Sequence, residues 1–425
     1  MVETFREYDR LVSADGGRAL PSGVFPCSAF ADLRDFVLSA DAADDFFRYS
    51  KLPGAGECIT LQNHVGAIRF ADGKQLEILP KICGVEADQQ EQARRMVLDM
   101  LRCLRDAPFK ESGMAQLNTC RMPLPELFIR MYLGEVHALV RGGIRSDYVH
   151  LRGNLHRVRG RILPAQQVRC NLLHPERIFC AYDEFQQDCP ENRLVKATLL
   201  TLRGQAADSA LQRDINRMLA YFDEVAASSS PTADFSRVRQ DRNRREYARL
   251  MEWARVFLQG RSYSNYSGKG NALAMLFPME RLFENYVAHH IRRVFTDWQV
   301  ATQARSSYLC EDESRHARDF MLKPDILLSR GNQKVVMDTK WKLPQDNPAK
   351  HYGVSQADMY QMNAYADRFG AAQIYLLYPL QEWMTPGISV ARYGDLPNGA
   401  SVTLFPIGLT EMKQSLGALR ALLPA

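Results

Sequence analysis

Short apolar runs alternate with polar residues in the last third of the chain and predict two neighbouring strands. One run occupies residues 326–328, directly after Lys323-Pro324-Asp325, and the other occupies residues 335–337, directly before Asp338. Gly331-Asn332 lies between the two runs and supplies the turn of a hairpin. We therefore expect the carboxylates of Asp325 and Asp338 to converge at one point on a sheet.

Apolar positions at helical spacing flank this hairpin on both sides. Residues 277–287 predict a helix before it, and residues 358–365 predict a helix after it. In the second helix Gln361 and Tyr365 lie one turn apart on the same face. Residues 373–378 then predict a further strand. Helix, hairpin, helix and strand in this order predict an α/β core.

The rest of the chain divides into a β-rich part and a helical part. A hairpin signal at residues 65–82 makes the first part β-rich, with small helical pieces. Helices are predicted at residues 89–104, 123–141, 192–221 and 237–259. A stretch rich in Ser, Asn and Gly at residues 262–270 breaks the helical pattern and marks the principal boundary. The prediction is therefore a β-rich N-terminal module at residues 1–85, a mainly helical region at 86–262 and an α/β domain at 270–425.

The composition is that of an ordinary globular protein. The 425 residues, 46% hydrophobic and 24% charged, suffice for two or three domains with cores. A net charge of +5 permits a polyanionic partner without requiring one. The nine cysteines include no Cys-x-x-Cys pair and indicate reduced thiols, and Cys310 alone cannot build an iron–sulfur cluster in the C-terminal region. A charged N-terminus and the absence of a membrane-length apolar run predict a cytoplasmic protein that does not contact a membrane.

Two carboxylates and a lysine at the end of a hairpin suit the chemistry of phosphodiester hydrolysis. Lys340 follows Asp338 by two residues and projects from the same strand face, because side chains alternate along a strand. Two carboxylates bind a hard cation such as Mg²⁺, and the lysine can orient or deprotonate a water that attacks a phosphate. For the short motif alone, solvated strand ends are an equally good interpretation.

Pro-Asp followed at a short distance by Asp-x-Lys resembles the PD-(D/E)xK nuclease superfamily. The resemblance implies that Glu284, on the preceding helix, is the superfamily's helix acid. Gln361 and Tyr365 resemble the motif that follows the active site in the RecB-like branch, which implies contact with a DNA phosphate or a metal-bound water. The alternative for Tyr365 is a core position on an ordinary amphipathic helix. The fold expected at residues 270–425 is thus a restriction-endonuclease-like core.

The expected metal site combines these residues. We expect Asp325, Asp338 and the backbone carbonyl of Thr339 to bind Mg²⁺, with Glu284 holding a second ion or a metal-bound water. Lys340 is expected to position the attacking water and to stabilise charge on the phosphate. No other cofactor is expected, since the stretch around Lys269 lacks the spacing of a phosphate loop.

Segments outside the nuclease motifs make the resemblance more specific. Residues 77–82 (Glu-Ile-Leu-Pro-Lys-Ile), 159–162 (Arg-Gly-Arg-Ile) and 183–194 are, together with those motifs, similar to the McrC family, the endonuclease subunits of McrBC modification-dependent restriction systems. The resemblance covers most of residues 60–385. It implies an endonuclease that cuts double-stranded DNA. It also implies that the chain binds and stimulates a hexameric AAA+ GTPase of the McrB type, which recognises 5-methylcytosine.

The resemblance also implies that residues 1–260 face the GTPase. A dense run of basic residues from Arg141 to Arg161 lies there. This run is a solvated face, a contact with the DNA backbone, or the source of an arginine that reaches into the partner's nucleotide site. Two other functions stay open for the whole chain: an independent RecB-like repair nuclease and a non-catalytic GTPase-activating scaffold. The intact acids and lysine of the hairpin favour the endonuclease subunit.

Overall fold

The structure, a computed structural model, describes most of the chain. The described residues are 2–14, 22–39, 46–53, 56–70, 72–82, 84, 86–104, 122–238, 245–259, 273–304, 307–312 and 317–424. The predicted boundary at residues 262–270 and the lysine of its Gly-Lys-Gly stretch lie outside these ranges. None of the described helices has both the length and the apolar character that crossing a bilayer requires.

The chain forms two compact units. Unit one contains residues 1–68, 74–111 and 276–425, and unit two contains residues 69–73 and 112–275. Unit one therefore draws on both ends of the sequence. This grouping cuts across the predicted regions 1–85, 86–262 and 270–425, and whether each predicted region works as a separate domain stays a prediction.

The N-terminal part of unit one contains two small sheets and two helices. The strands are β1 (Val2–Arg6), β2 (Arg10–Ser13), β3 (Val24–Cys27), β4 (Phe47–Leu52), β5 (Gly56–Leu61), β6 (His64–Arg69) and β7 (Gln75–Leu79). The helices are α1 (Phe30–Ser39) and α2 (Ala87–Arg102). Strands β6 and β7 are neighbours, as the hairpin signal predicts, and β1 pairs in parallel with β7. This pairing brings the residues that follow both strands to one end of the sheet.

The C-terminal part of unit one is a mixed α/β arrangement. Its strands are β12 (Gln299–Thr302), β13 (Ser307–Asp312), β14 (Ala317–Leu322), β15 (Ile326–Arg330), β16 (Gln333–Thr339), β17 (Gln373–Pro379), β18 (Ala391–Tyr393) and β19 (Ser401–Ile407). The preceding strand, β11 (Leu273–Pro278), pairs instead with β6 at the edge of the sheet that contains β1 and β7. Its helices are α9 (Met279–Val294), α10 (Gln356–Phe369) and α11 (Met412–Ala421), with a 3-10 helix at Pro348–Gly353. The six-stranded sheet has the order β12-β15-β16-β17-β19-β18. The predicted hairpin, both flanking helices and the following strand are all present.

The central strands of this sheet are buried because helices cover them. Strands β16, β17 and β19 run parallel, and their near-continuous apolar sequence is typical of strands buried on both faces. Helix α10 packs its apolar stripe on one face, so that Met362 and Tyr365 meet Val336 and Ile374 in one core cluster. The helix starts with a capping box formed by Ser355 and Asp358. The core thus fixes the position of α10 beside the hairpin.

Unit two contains a small antiparallel sheet and six helices in its described residues. The strands are β8 (Asp147–Leu155), β9 (Arg161–Ile162) and β10 (Ile178–Gln186), in the order β8-β10-β9. The helices are α3 (Leu124–Gly142), α4 (Pro164–Asn171), α5 (Pro190–Gln205), α6 (Ser209–Ala220), α7 (Pro231–Arg237) and α8 (Arg245–Gln259). Much of the basic run therefore lies on strands, which the prediction of a mainly helical region did not include.

Two helix predictions in unit two are wrong in extent. The single helix predicted at residues 192–221 is two helices, α5 and α6, because the backbone at Ala206 turns extended (φ −66°, ψ 125°). The side chain of Asp208 then accepts a hydrogen bond from the Ala210 amide and starts α6. The described part of the helix predicted at 237–259 is α8, and α7 ends at Arg237, where Val238 leaves helical geometry (φ −57°, ψ 122°). Apolar residues continue at helical spacing through Leu202, Ala206 and Ala210, so periodicity alone did not reveal the first break.

Candidate active site

The β15–β16 hairpin brings the two predicted acids together. Ile326 pairs with Met337, so Asp325 and Asp338 occupy the next positions at the same end of the two strands. One carboxylate oxygen of Asp325, Oδ2, accepts hydrogen bonds from the Thr339 amide and from its hydroxyl, both at 2.7 Å. These bonds fix the Asp325 carboxylate against the end of β16.

Lys340 lies at the centre of the charged groups. Its Nζ is 2.7 Å from Oδ2 of Asp338 and 3.8 Å from Oδ1 of Asp358. The same ammonium donates a hydrogen bond to Oε1 of Gln361 at 3.1 Å, and the Lys340 amide donates to the Leu377 carbonyl at 2.8 Å. The lysine is therefore held from both its main chain and its side chain.

Helix α10 supplies a fixed amide to this lysine. Nε2 of Gln361 donates to the Tyr365 hydroxyl at 2.8 Å, and that hydroxyl donates to the Lys323 carbonyl at 3.0 Å. The Tyr365 ring is buried, with an edge-to-face contact to Phe369. Gln361 thus reaches the site, whereas Tyr365 orients Gln361 from the core. The predicted contact of Tyr365 with substrate stays a prediction.

A cavity of about 330 Å³ contains the site. Its acidic lining residues are Glu280, Glu284, Asp325, Asp338 and Asp358, and its basic ones are Lys323, Lys340 and Lys342. Glu284 projects from α9, as predicted, and accepts a hydrogen bond from Nε2 of Gln303 at 2.9 Å. The predicted acids, the lysine and Gln361 therefore share one cavity.

Burial and mutual repulsion change the acidity of these groups. Burial raises the pKa of Glu284 to about 7, and the charge of Asp325 adds to the effect. Burial, and then the charge of Asp325, raise the pKa of Asp338 to about 7, although the Lys340 ammonium opposes this. Burial lowers the pKa of Lys340, but the charges of Asp338 and the other acids more than compensate, so its pKa is raised. The lysine therefore stays charged at neutral pH, while the acids are poised to take up a proton or a cation.

The donor set is chemically suited to a hard divalent cation. Asp325, Asp338 and Glu284 offer carboxylate oxygens, which Mg²⁺ prefers. Burial raises the pKa of all three, and the charge of Asp325 adds to the rise at Asp338 and Glu284, so a cation would stabilise their ionised forms. In the part of the chain that the structure describes, no three His, Cys, Asp or Glu side chains form a ready-made metal cluster. The residues fit a site that main-chain oxygen and water complete.

Sequence reasoning missed two residues of the cavity that organise its rim. Asp358 accepts hydrogen bonds from the Ser355 hydroxyl at 2.7 Å and from Nζ of Lys342 at 2.9 Å. Burial raises the pKa of Asp358, but the hydrogen bonds from Ser355 and Lys342 together lower it by more than burial raises it. The net pKa is therefore below the usual value, and the carboxylate stays charged. The Ser-x-x-Asp spacing at the start of α10 is a local capping signal that could have identified Asp358. Lys342 could have been found from the same spacing of two residues that placed Asp338 and Lys340 on one strand face.

The fold and the cavity define an α/β protein with a buried site of carboxylates and lysine at the end of a hairpin. A family model described as "McrBC 5-methylcytosine restriction system component" matches residues 59–379. The chain belongs to this family.

Two solved structures are similar to the chain in fold. The chain is similar over 99% of its length to the full length of a chain in the "refined half-complex from tetradecameric assembly of Thermococcus gammatolerans McrB AAA+ hexamers with bound McrC", with 16% identity and a TM-score of 0.68. A chain of the cryo-EM structure of the Thermococcus gammatolerans McrBC complex matches 70% of this chain and 89% of its own length, with 18% identity and a TM-score of 0.49. No curated protein matches. The family match and the shared fold support the McrC family that the motifs indicate.

Proposed function

We propose that the chain is the Mg²⁺-dependent DNA endonuclease subunit of a GTP-dependent restriction complex directed at modified cytosine. The observation that carries this proposal is the convergence of Asp325, Asp338, Glu284 and Lys340 in one cavity. Membership of the restriction-system family supports it, because such a system has to cut DNA. The two alternatives, an independent repair nuclease and a non-catalytic scaffold, become outcomes of the test below.

Each residue of the site has a role in this proposal. Asp325, Asp338 and the Thr339 carbonyl would hold Mg²⁺, and Glu284 would hold a second ion or a metal-bound water. Bound there, the metal would supply Lewis-acid stabilisation of the phosphate and would increase the acidity of a bound water. Lys340 presents a permanent positive charge, fixed by Asp338, to the phosphate oxygens.

Gln361 lies on the substrate side of the cavity. Its amide accepts from Lys340 and donates to Tyr365, so both ends of the side chain have a fixed partner. In this orientation the amide can exchange one bond for a DNA phosphate oxygen or a metal-bound water. Tyr365 contributes indirectly, because its hydroxyl holds the Gln361 amide in place.

The proposed protein partner is a hexameric AAA+ GTPase of the McrB type. The fold neighbour with the higher TM-score comes from an assembly of McrB AAA+ hexamers with bound McrC. Unit two offers a surface for such a partner, because Tyr148, Leu172, Leu173 and Phe185 are 63–85% exposed. Tyr148 and Phe185 lie together, with ring centroids 5.1 Å apart, and adjacent exposed apolar side chains of this size are typical of interaction sites.

The basic run of unit two supplies candidates for a charge donated to the GTPase. Arg145 is engaged with Asp147 and Glu191, both at 2.9 Å, and Arg159 is engaged with Glu184 at 3.0 Å. These two arginines have structural partners. Arg141 donates to the His137 carbonyl at 3.2 Å. The three other arginines of the run make no ion pair within the described ranges and are the better candidates: Arg152, Arg157 and Arg161.

The test uses the full-length chain, because unit one takes residues from both sides of unit two. Cleavage of methylated and unmethylated plasmid is measured with Mg²⁺ or EDTA, with and without the AAA+ partner and GTP. We expect cleavage of methylated DNA that needs Mg²⁺, partner and GTP together, and Asp338→Asn should stimulate GTP hydrolysis without cutting.

Other outcomes separate the alternatives. Cutting without partner or GTP would identify an independent nuclease. Stimulated GTP hydrolysis without cutting by the wild-type chain would identify a scaffold. Failure to bind the AAA+ partner at all would remove the proposed complex.

A further inference from the structure

Trp341, the residue directly after Lys340, is fixed by two side chains from the N-terminal part of unit one. Its indole Nε1 donates to both carboxylate oxygens of Glu7, at 3.1 and 3.0 Å. Its carbonyl accepts a hydrogen bond from Nζ of Lys81 at 3.0 Å. The side chain and the main chain of Trp341 are therefore held separately, by residues 334 and 260 positions away in the sequence.

The pairing of β1 with β7 places Glu7 and Lys81 together. The two strands pair in parallel up to Arg6 and Leu79, and the Glu7 amide donates to the Leu79 carbonyl at 3.0 Å. Glu7 in turn accepts from the Lys81 amide at 3.0 Å. The two residues form one unit at the end of the sheet.

The Lys81 ammonium is also confined by aromatic rings. It lies 4.8 Å from the centroid of the Tyr8 ring and 5.6 Å from that of Trp341. Both distances lie within the range of a cation–π contact. Few positions of the ammonium satisfy the two rings and the Trp341 carbonyl together, so the side chain acts as a rigid donor.

Packing alone does not account for this arrangement. Glu7 is only 3% exposed and Lys81 is half-buried, and burying such polar groups usually contributes no more to stability than burying apolar residues of the same volume. What these two side chains add is direction, because each of their bonds to Trp341 ends at a specified atom. Within the described ranges the pair lines no part of the catalytic cavity.

We propose that Glu7 and Lys81 are positioning residues for Lys340, an inference that rests on the proposed nuclease function. Fixing the Trp341 indole and carbonyl fixes the backbone immediately after Lys340, so the ammonium stays between Asp338 and Gln361. Catalytic groups have to be held within about 0.5 Å of the productive geometry. The N-terminal part of unit one then supports the nuclease site from outside its cavity.

The first experiment compares Lys81→Met with Lys81→Arg in the full-length chain with its AAA+ partner, GTP and Mg²⁺. Loss of an outer positioning partner typically costs about 10- to 100-fold in activity. We expect Lys81→Met to lower kcat by about that factor while KM for DNA and the Mg²⁺ half-saturation stay unchanged. Lys81→Arg should retain most of the rate, because a guanidinium can donate to the same carbonyl. Lys74→Met is the matched control, since this lysine lies directly before β7 and pairs with Asp32.

The second experiment does not depend on cleavage. Hydrogen–deuterium exchange of the peptide covering residues 339–343 should be faster in Lys81→Met and in Trp341→Phe, and unchanged in Lys74→Met. Trp341→Phe keeps an aromatic ring in the core but removes the N–H that donates to Glu7. This variant replaces Lys81→Met in the exchange experiment if Lys81→Met does not fold. If exchange is faster in these variants but the wild-type chain does not cut DNA, the nuclease proposal is refuted, whereas the contact of Lys81 and Glu7 with Trp341 is still supported. Wild-type kcat in Lys81→Met, or unchanged exchange in both variants, would overturn the inference.

Discussion

Replacing Lys340 by methionine removes the positive charge at the centre of the cavity while keeping the length of the side chain. The lost ammonium lies 2.7 Å from Asp338 and donates to Gln361 at 3.1 Å. Removing one such electrostatic group costs about 10²–10³ in rate, which corresponds to about 2.7–4 kcal/mol of transition-state stabilisation. We expect Lys340→Met to bind Mg²⁺ and DNA and to cut DNA more slowly by this factor.

The same change should alter stability in a pH-dependent way. The pKa of Asp338 is raised to about 7 in the folded protein even with Lys340 present, and loss of the ammonium raises it further. A folded-state pKa above the unfolded value means that stability falls as pH rises towards the folded pKa. Above about pH 7 the variant should therefore lose up to about 1.4 kcal/mol per pH unit relative to the wild type. Below that pH the carboxyl is protonated in both proteins, and the difference should stop growing.

Single-turnover plasmid cleavage, calorimetric titration with Mg²⁺ and urea unfolding at about pH 6 and pH 8 measure the three effects. Lys334→Met is the control, because this lysine is exposed on the same strand, opposite Ser329. Cleavage by Lys340→Met at a rate close to wild type would refute the catalytic assignment. Loss of Mg²⁺ binding in this variant would instead make Lys340 a structural element of the metal site.

Three further predictions concern the acids, the helix and the N-terminal sheet. Asp338→Asn should abolish cleavage and leave the melting temperature at neutral pH unchanged or higher, because it relieves repulsion with Asp325; an unfolded variant would contradict this. Gln361→Ala should slow cleavage, since Lys340 loses an acceptor, and unchanged kinetics would favour an ordinary amphipathic helix. Glu7 has its pKa raised from 4.5 to about 7, first by burial, so the folded protein should lose about 3 kcal/mol of stability as pH rises from about 4.5 to about 7. Glu7→Gln should flatten this part of the stability profile in urea unfolding, and a profile as steep as that of the wild type would rule out the assignment.

Local patterns predicted the centre of the site well. The acids meet because the antiparallel register of a short hairpin places Asp325 and Asp338 at adjacent positions. Gln361 and Tyr365 face the same way because they are one helical turn apart, and their hydrogen bond confirms that geometry. Each of these relations spans few residues, so spacing in the sequence determines it.

Long-range relations could not be predicted in this way. The bond between Glu7 and Trp341 joins polar residues 334 positions apart, and no periodic pattern links them. The break between α5 and α6 was missed for a different reason: apolar positions continue through it, while Ala206 ends one helix and Asp208 caps the start of the next. Sequence patterns thus gave the elements but not the contacts between distant ends of unit one.

The division of unit one across the sequence determines when the site can form during synthesis. Lys81 leaves the ribosome 260 residues before Trp341, an interval of roughly 10–50 s at ordinary rates of translation. Nearly all of unit two, residues 112–275, is made during that interval as one continuous stretch. Under the proposed function, a nascent or prematurely terminated chain that displays unit two to a GTPase still lacks the acids and the lysine that cutting requires. Such incomplete chains do no damage to the DNA of the cell that makes them.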